Sequence, residues 1–258
     1  MTGTSLPHIF SASPNHEDRK NGIAPSILLL HYTDMATAEA ARLWLCAQES
    51  RVSCHYLVDE AGAITQMVDE DRRAWHAGTS HWRGLEDINS ASIGIEVHNV
   101  GHTAGYPVFP VVQMRAVIAL CRDICRRHGI RPERVLAHSD VAPGRKIDPG
   151  EKFDWQLLHE HGVGHWVKPV AMAGGTFLQE GDQGDAVAAL QTALQLYGYG
   201  IAVTGRFDGR CRQVVEAFQR HFRPSCIDGV ADQSTIETLF KLASSVPLAS
   251  GVSSSGIV

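Results

Sequence analysis

The sequence lacks any apolar run near the roughly 18 residues that a membrane-spanning helix needs. Its most apolar stretch, Ser26–Leu30, is short and stops at His31. It therefore gives no reason to expect insertion into a membrane. It also lacks a surplus of positive charge. Its 23 Lys and Arg stand against 28 Asp and Glu, a net charge of −5, which removes the electrostatic reason to expect a nucleic-acid partner. No basic-then-apolar leader opens the chain. The expected address is the cytoplasm, with the periplasm or cell envelope as the alternative if a leader has been removed or export is non-standard. No C-x-x-C occurs among the six cysteines, Cys46, Cys54, Cys121, Cys125, Cys211 and Cys226. They read as mostly reduced, buried thiols, and the sequence leaves open whether Cys211 and Cys226 pair. Nor is there an H-E-x-x-H helix. His159-Glu160-His161 has its histidines two apart, a spacing that cannot share one helix face. A site built from His159, His161 and His165 is a minor alternative. No Ser-His-Asp or Cys-His arrangement is legible.

What is present is an ordinary globular composition, with 44% hydrophobic and 20% charged residues in 258. That length accommodates one large domain or two smaller ones. Residues 1–24 read as an irregular lead-in. Ser26–Tyr32 reads as a buried strand, and Thr37–Gln48 as a helix capped by Thr37. Ser53–Val58 and Ala63–Val68 flank Asp59-Glu60-Ala61-Gly62 as a hairpin. Ser92–Asn99 alternates like a half-buried strand. Val111–His128 is a long amphipathic helix ending at Gly129. Val135–Ala137 is a short strand, and the turn formers of His138–Gly150 predict a loop. Asp154 caps a helix from Trp155 to His161. Composition then shifts at Pro169–Thr176, a linker. Helices at Asp185–Tyr197, Gly209–Phe222 and Asp232–Leu242 follow, able to bury a modest core of their own. The expected division is 25–168, a linker 169–176, a three-helix unit 177–243 and a tail 244–258.

Three features carry chemistry. His31 closes the apolar strand in LLLHYT, at the strand end where α/β folds place functional groups. The segment HSDVAPGRKIDPG again opens with a histidine after a strand, His138, and holds Lys146 two residues before Asp148. Glu96, in SIGIEVHN, shares a strand face with Gly94 and His98. It is placed for acid–base work if that face lines a cleft. Two histidines and an aspartate with one open position form a catalytic rather than a structural zinc set.

These segments resemble the zinc-dependent N-acetylmuramoyl-L-alanine amidases of type 2, over residues 22–167. The stretch from about 176 to 243, with LQEGDQGDAVAALQTALQLYGY and VVEAFQRHFRP, is similar to the three-helix peptidoglycan-binding domain that often follows such an amidase. The resemblance implies an α/β fold, a mixed central sheet flanked by helices, plus the small helical domain. It implies Zn2+ on His31, His138 and Asp148, with Glu96 as the catalytic carboxylate and Lys146 beside the developing oxyanion. Trp75 and His76, in WHAG, fall where the family's substrate cleft is bordered. Cys54 stands where a smaller residue is expected. The implied reaction is hydrolysis of the amide between N-acetylmuramic acid and L-alanine, in peptidoglycan or muropeptides. Two alternatives stand beside it: a non-catalytic peptidoglycan recognition protein, and a zinc peptidase cutting within the stem peptide. The sequence leaves the oligomeric state unknown.

Overall fold

The computed structural model describes residues 2–171 and 174–246. Met172 and Ala173 of the expected linker lie outside the described residues, as does the expected tail from 247 onward.

A strand without polar alternation must be covered on both faces. This holds for β3 (Ile27–Tyr32), every residue of which is buried. In chain order the other strands are β1 (Ile9–Phe10), β2 (His16–Asp18), β4 (Tyr56–Val58), β5 (Ile64–Gln66), β6 (Arg72–Ala74), β7 (Ser92–Val97) and β8 (Val135–Ala137). Six of them form one sheet in the order β1-β5-β4-β7-β3-β8, and β2 pairs with β6 apart from it. β4, β7, β3 and β8 run parallel, and β4 and β5 make the antiparallel hairpin expected around Asp59. The sheet is therefore mixed, as expected. In the hairpin, Asp59 Oδ1 accepts from the N–H groups of Ala61 and Ala63, and Gly62 takes a φ of +83°.

The helices are α1 (Ala38–Cys46), α2 (Ile88–Ala91), α3 (Val111–His128), α4 (His138–Val141), α5 (Trp155–Glu160), α6 (Asp185–Tyr197), α7 (Gly209–Phe222) and α8 (Gln233–Ser245). Local chemistry sets their ends. Thr37, Asp154, Asp208 and Asp232 each accept a hydrogen bond from an N–H in the first turn that follows, and Gly129 closes α3 at φ +62°. None of the described helices is long and apolar enough to cross a membrane.

Three expectations need correction. Residues 1–24 are not all irregular, because β1 extends the main sheet and β2 pairs antiparallel with β6. Strands of two and three residues are too short to show a period. The segment His138–Gly150 is not wholly a loop. It opens with the single turn α4, started by Asp140 Oδ2 accepting from the Ala137 N–H at 2.8 Å. The C-terminal helices do not keep a core to themselves. One apolar cluster joins Ile27, Leu29 and Leu136 of the sheet, through Trp82 and Val141, to Tyr197, Tyr199, Val214 and Phe218. A second cluster lies between the opposite sheet face and α3, around Leu28, Leu30, Ile95, Val117 and Ile124. All six cysteines are free, so Cys211 and Cys226 do not pair.

A polar knot ties α3 to the loop after β5. Glu70 is buried and accepts from Tyr56 Oη at 2.6 Å, from Arg127 Nη2 at 2.7 Å and from His128 Nε2 at 2.6 Å. Burial alone would raise its pKa. The bonds from Arg127, His128 and Tyr56 outweigh burial and lower it from 4.5 to about 2. A depressed folded-state value contributes stability that is fully present above 4.5 and is lost as pH falls toward about 2. Glu70→Gln should cost about 1.5–3 kcal/mol at neutral pH, the worth of hydrogen bonds to a charged group. It should also flatten the stability loss across that acid window. Urea titrations at pH 7, 4.5 and 2.5 check both.

Candidate metal centre

Register on adjacent parallel strands gathers the site. His31 of β3 is the direct partner of Glu96 of β7, so both side chains leave the same sheet face side by side. On the other flank Leu30 pairs with Ala137, and His138 follows at once as the first residue of α4. The row lies at the carboxyl ends of parallel strands, where open α/β sheets place their ligands. The loop after α4 then returns Asp148, whose C=O accepts from the Ser139 N–H at 3.0 Å.

Three electron-pair donors converge. His31 Nδ1 lies 2.9 Å from His138 Nδ1 and 3.1 Å from Asp148 Oδ2, and His138 Nδ1 lies 2.9 Å from that same oxygen. All three residues are buried, and they are the one group among the described residues whose ligand atoms come together as a metal requires.

Hydrogen bonds on the far sides of the rings set which nitrogens face inward. His138 Nε2 lies 3.0 Å from the C=O of Ala77. A carbonyl can only accept, so Nε2 carries the proton and Nδ1 presents its lone pair. For His31 the reasoning runs along a chain. The Ser92 hydroxyl donates to the Ile88 C=O at 2.6 Å, leaving its oxygen to accept from His76 Nε2 at 3.4 Å. His76 Nδ1 is then free to accept from His31 Nε2 at 3.0 Å, and His31 Nδ1 is turned toward the cluster as a lone pair. Such outer partners are what orient metal-ligating imidazoles. Burial, then the neighbouring His138, lowers His31 to about 4, which keeps it neutral. Burial by itself opposes charge on Asp148, and a cation among the three ligand atoms would favour it.

The centre opens into a cleft of about 400 Å³. Every residue singled out in the sequence lies on its wall: His31, Trp75, His76, Glu96, His138, Lys146 and Asp148. Glu96 is not the solvated outward residue of an ordinary alternating strand. Its Oε2 is shielded and has no hydrogen-bond partner among the described residues. Burial, then the charge of Asp148, pushes its pKa well above the usual carboxylate range. Trp44 and His102 also line the cleft and were not singled out in the sequence, because neither sits in a distinctive motif. The rival histidines do not assemble. His159 bonds to the Gly164 C=O, His161 to the Leu157 C=O, and His165 to Tyr197 and Ser245.

Gly94 makes room for His76. A Cβ at Gly94 would sit 2.7 Å from three ring atoms of His76, so the bare backbone of β7 is the floor on which that imidazole lies.

Comparison with known proteins identifies relatives of the whole chain. The family model described as N-acetylmuramoyl-L-alanine amidase matches residues 21–151, and one described as a peptidoglycan binding domain matches residues 183–239. The chain is 40% identical over 226 residues to the N-acetylmuramoyl-L-alanine amidase AmiD of Escherichia coli, covering 81% of this chain and 79% of that protein. It is 30% identical over 164 residues to the 1,6-anhydro-N-acetylmuramyl-L-alanine amidase AmpD of Enterobacter cloacae, covering 57% and 86%. Among solved structures it is similar to E. coli AmiD in complex with anhydro-N-acetylmuramic acid-L-Ala-D-gamma-Glu-L-Lys, with a TM-score of 0.74 at 35% identity, covering 87% and 91% of the two chains. It is also similar to AmpDh3 of Pseudomonas aeruginosa in complex with an anhydromuramic pentapeptide, with a TM-score of 0.70 at 28% identity, covering 95% and 98%.

Gly94→Ala tests the outer support of the centre. Overpacking of this kind costs about 1–3 kcal/mol. The variant should lose that much stability to urea and should also bind divalent metal more weakly, because His76 cannot stay under His31. Unfolding curves and metal titration read the two effects separately.

Proposed function

The chain belongs to the N-acetylmuramoyl-L-alanine amidase family and hydrolyses the amide bond between N-acetylmuramic acid and L-alanine; we propose that it does so with one Zn2+ held by His31, His138 and Asp148. The observation that carries the reading is the convergence of two lone-pair imidazole nitrogens and one carboxylate oxygen within 2.9–3.1 Å, open on one side to the cleft. Two neutral nitrogens and a carboxylate are the donor set of a catalytic zinc site, and the open side leaves a position for water or substrate.

An amide resists water because water is a poor nucleophile and an amine a poor leaving group. When bound, zinc supplies Lewis acidity, which acidifies water and draws charge from a carbonyl. The rest falls to the chain's own side chains. Glu96 takes the proton of the attacking water and delivers it to the departing amide nitrogen, so that the peptide leaves as a neutral amine. A carboxylate with one shielded oxygen left without a hydrogen-bond partner is suited to both halves of that transfer. The Lys146 ammonium, on the same wall, faces the charge that develops on the former carbonyl oxygen. Trp75 and His76 border the sugar and peptide, and His76 holds His31 as well. The helical unit, proposed as residues 177–243, binds the wall polymer or its fragments and raises the local concentration of scissile bonds. The substrate is peptidoglycan or a muropeptide derived from it.

Glu96→Gln should keep zinc and lose most turnover, whereas His138→Ala should lose both. Metal analysis beside a muropeptide assay separates them. Lys146→Ala should lower kcat by about 10²–10³-fold, as loss of one oxyanion donor typically does. Mass spectrometry of the products tests the bond assignment: free intact stem peptide and peptide-free sugar are expected, and a cut between two amino acids refutes it. Chelation should abolish activity and zinc should restore it.

A further inference from the structure

His138 begins a helix of only four residues, His138–Val141. One turn does not hold itself together, because nucleation costs more than so few hydrogen bonds return. Something outside must fix it. Asp140, the third residue of the turn, is fully buried at 0% exposure. Its Oδ2 accepts from the Ala137 N–H at the start of the turn. The other two donors to this carboxylate come from the C-terminal helical unit. Tyr199 Oη donates to Oδ1 at 2.7 Å, and His221 Nδ1 donates to Oδ2 at 2.6 Å. Tyr199 and His221 are themselves 1% and 2% exposed.

Both donors are held in turn. The His221 ring is sandwiched, with Trp155 of α5 stacked at 3.8 Å and Phe222 at 3.9 Å between centroids. Tyr199 packs edge-on against Trp82 at 5.0 Å. Two further ties flank them. The Arg83 N–H donates to the Gly198 C=O at 2.9 Å, and Arg210 Nη1 donates to the Pro143 C=O at 2.7 Å, just past the turn. An interface that served only to join two units would be built more simply from apolar side chains. A carboxylate buried there carries a desolvation penalty that must be met by well-placed donors. Here those donors reach the same turn that presents His138.

We infer that Tyr199 and His221 are positioning residues for the metal centre: through Asp140 they fix the turn that carries His138, so the helical unit is part of the active-site framework as well as a wall-binding module. This rests on His138 being a metal ligand, as proposed above. It goes further, because a module that only anchored the enzyme to the wall would leave the metal and the hydrolysis of small fragments untouched.

The test measures zinc affinity by competition with a chromophoric chelator, and the visible absorption of the Co2+-substituted protein, for the full chain and for Tyr199→Phe, His221→Leu and His221→Gln. Loss of an outer partner typically weakens metal binding by about 10–100-fold. Tyr199→Phe and His221→Leu should fall in that range, with shifted cobalt bands and an unchanged far-ultraviolet circular dichroism spectrum. His221→Gln, which keeps an N–H donor, should recover part of the affinity. On a soluble muropeptide, which needs no wall anchoring, kcat should fall while KM changes little. Folded variants with the parent's zinc affinity and cobalt spectrum overturn the inference. Should His221→Leu fail to fold, Tyr199→Phe, which removes a single oxygen, decides it alone. Failure of the parent chain to bind zinc overturns the metal assignment itself, an outcome distinguishable because it precedes any substitution.

Discussion

Three lone pairs, on two imidazole nitrogens and one carboxylate oxygen, are held within 2.9–3.1 Å of one another in a buried pocket. Groups of that kind repel unless positive charge lies among them, so a framework must force them together before any ion arrives. Much of the structure around the cleft supplies that framework. In-register parallel strands put His31 beside Glu96. The Ala77 carbonyl turns one ring, and the Ser92–His76 chain turns the other. The return of the loop from α4 brings Asp148 over both. Preorganisation of this kind limits the rearrangement needed when metal binds.

What the sequence could show follows from which of these devices leave a trace in residue types. His31, Glu96, His138, Lys146 and Asp148 do, since chemistry demands those side chains, and all five meet on one cleft wall. Long periodic elements do as well, as with α3 at Val111–His128. A backbone carbonyl does not. Any residue at position 77 offers the same oxygen, so the partner that orients His138 was invisible. The bond from His76 to Ser92 joins residues 16 apart through tertiary packing, which no residue type announces. Short elements escaped for lack of length. Ile9–Phe10 and the turn at His138–Val141 are shorter than the windows over which strand and helix periods repeat.

The union of the two units was hidden for a different reason. Amphipathic spacing in α6 and α7 says that one face is buried, but not against what. A small helical bundle closing on itself and a bundle closing on a sheet give the same pattern. Only the polar exceptions on the buried faces could have told them apart. His221 and Tyr199 are such exceptions, each with its polar atom spent on Asp140. A carboxylate carried in from the other unit explains why a histidine and a tyrosine occupy positions where a self-contained core would favour aliphatic side chains.

The same burial has opposite consequences for the titratable groups of the cleft, and this divides the labour between two carboxyls. Burial disfavours charge on both Asp148 and Glu96. Asp148 lies against the two ligand nitrogens of His138 and His31, where a cation held among the three would favour its charged form. Glu96 has no such partner. Burial and the settled negative charge of Asp148 push its pKa up instead. One acid is thereby committed to permanent charge, which a cation can use, and the other to exchanging a proton, which hydrolysis of an amide needs twice. Pairs of like groups driven apart in this way identify the ligand and the acid–base carrier in an active site. Here the separation arises from position alone: Asp148 reaches between the two imidazoles, while Glu96, a strand away from His31, lines the cleft with one oxygen unpaired.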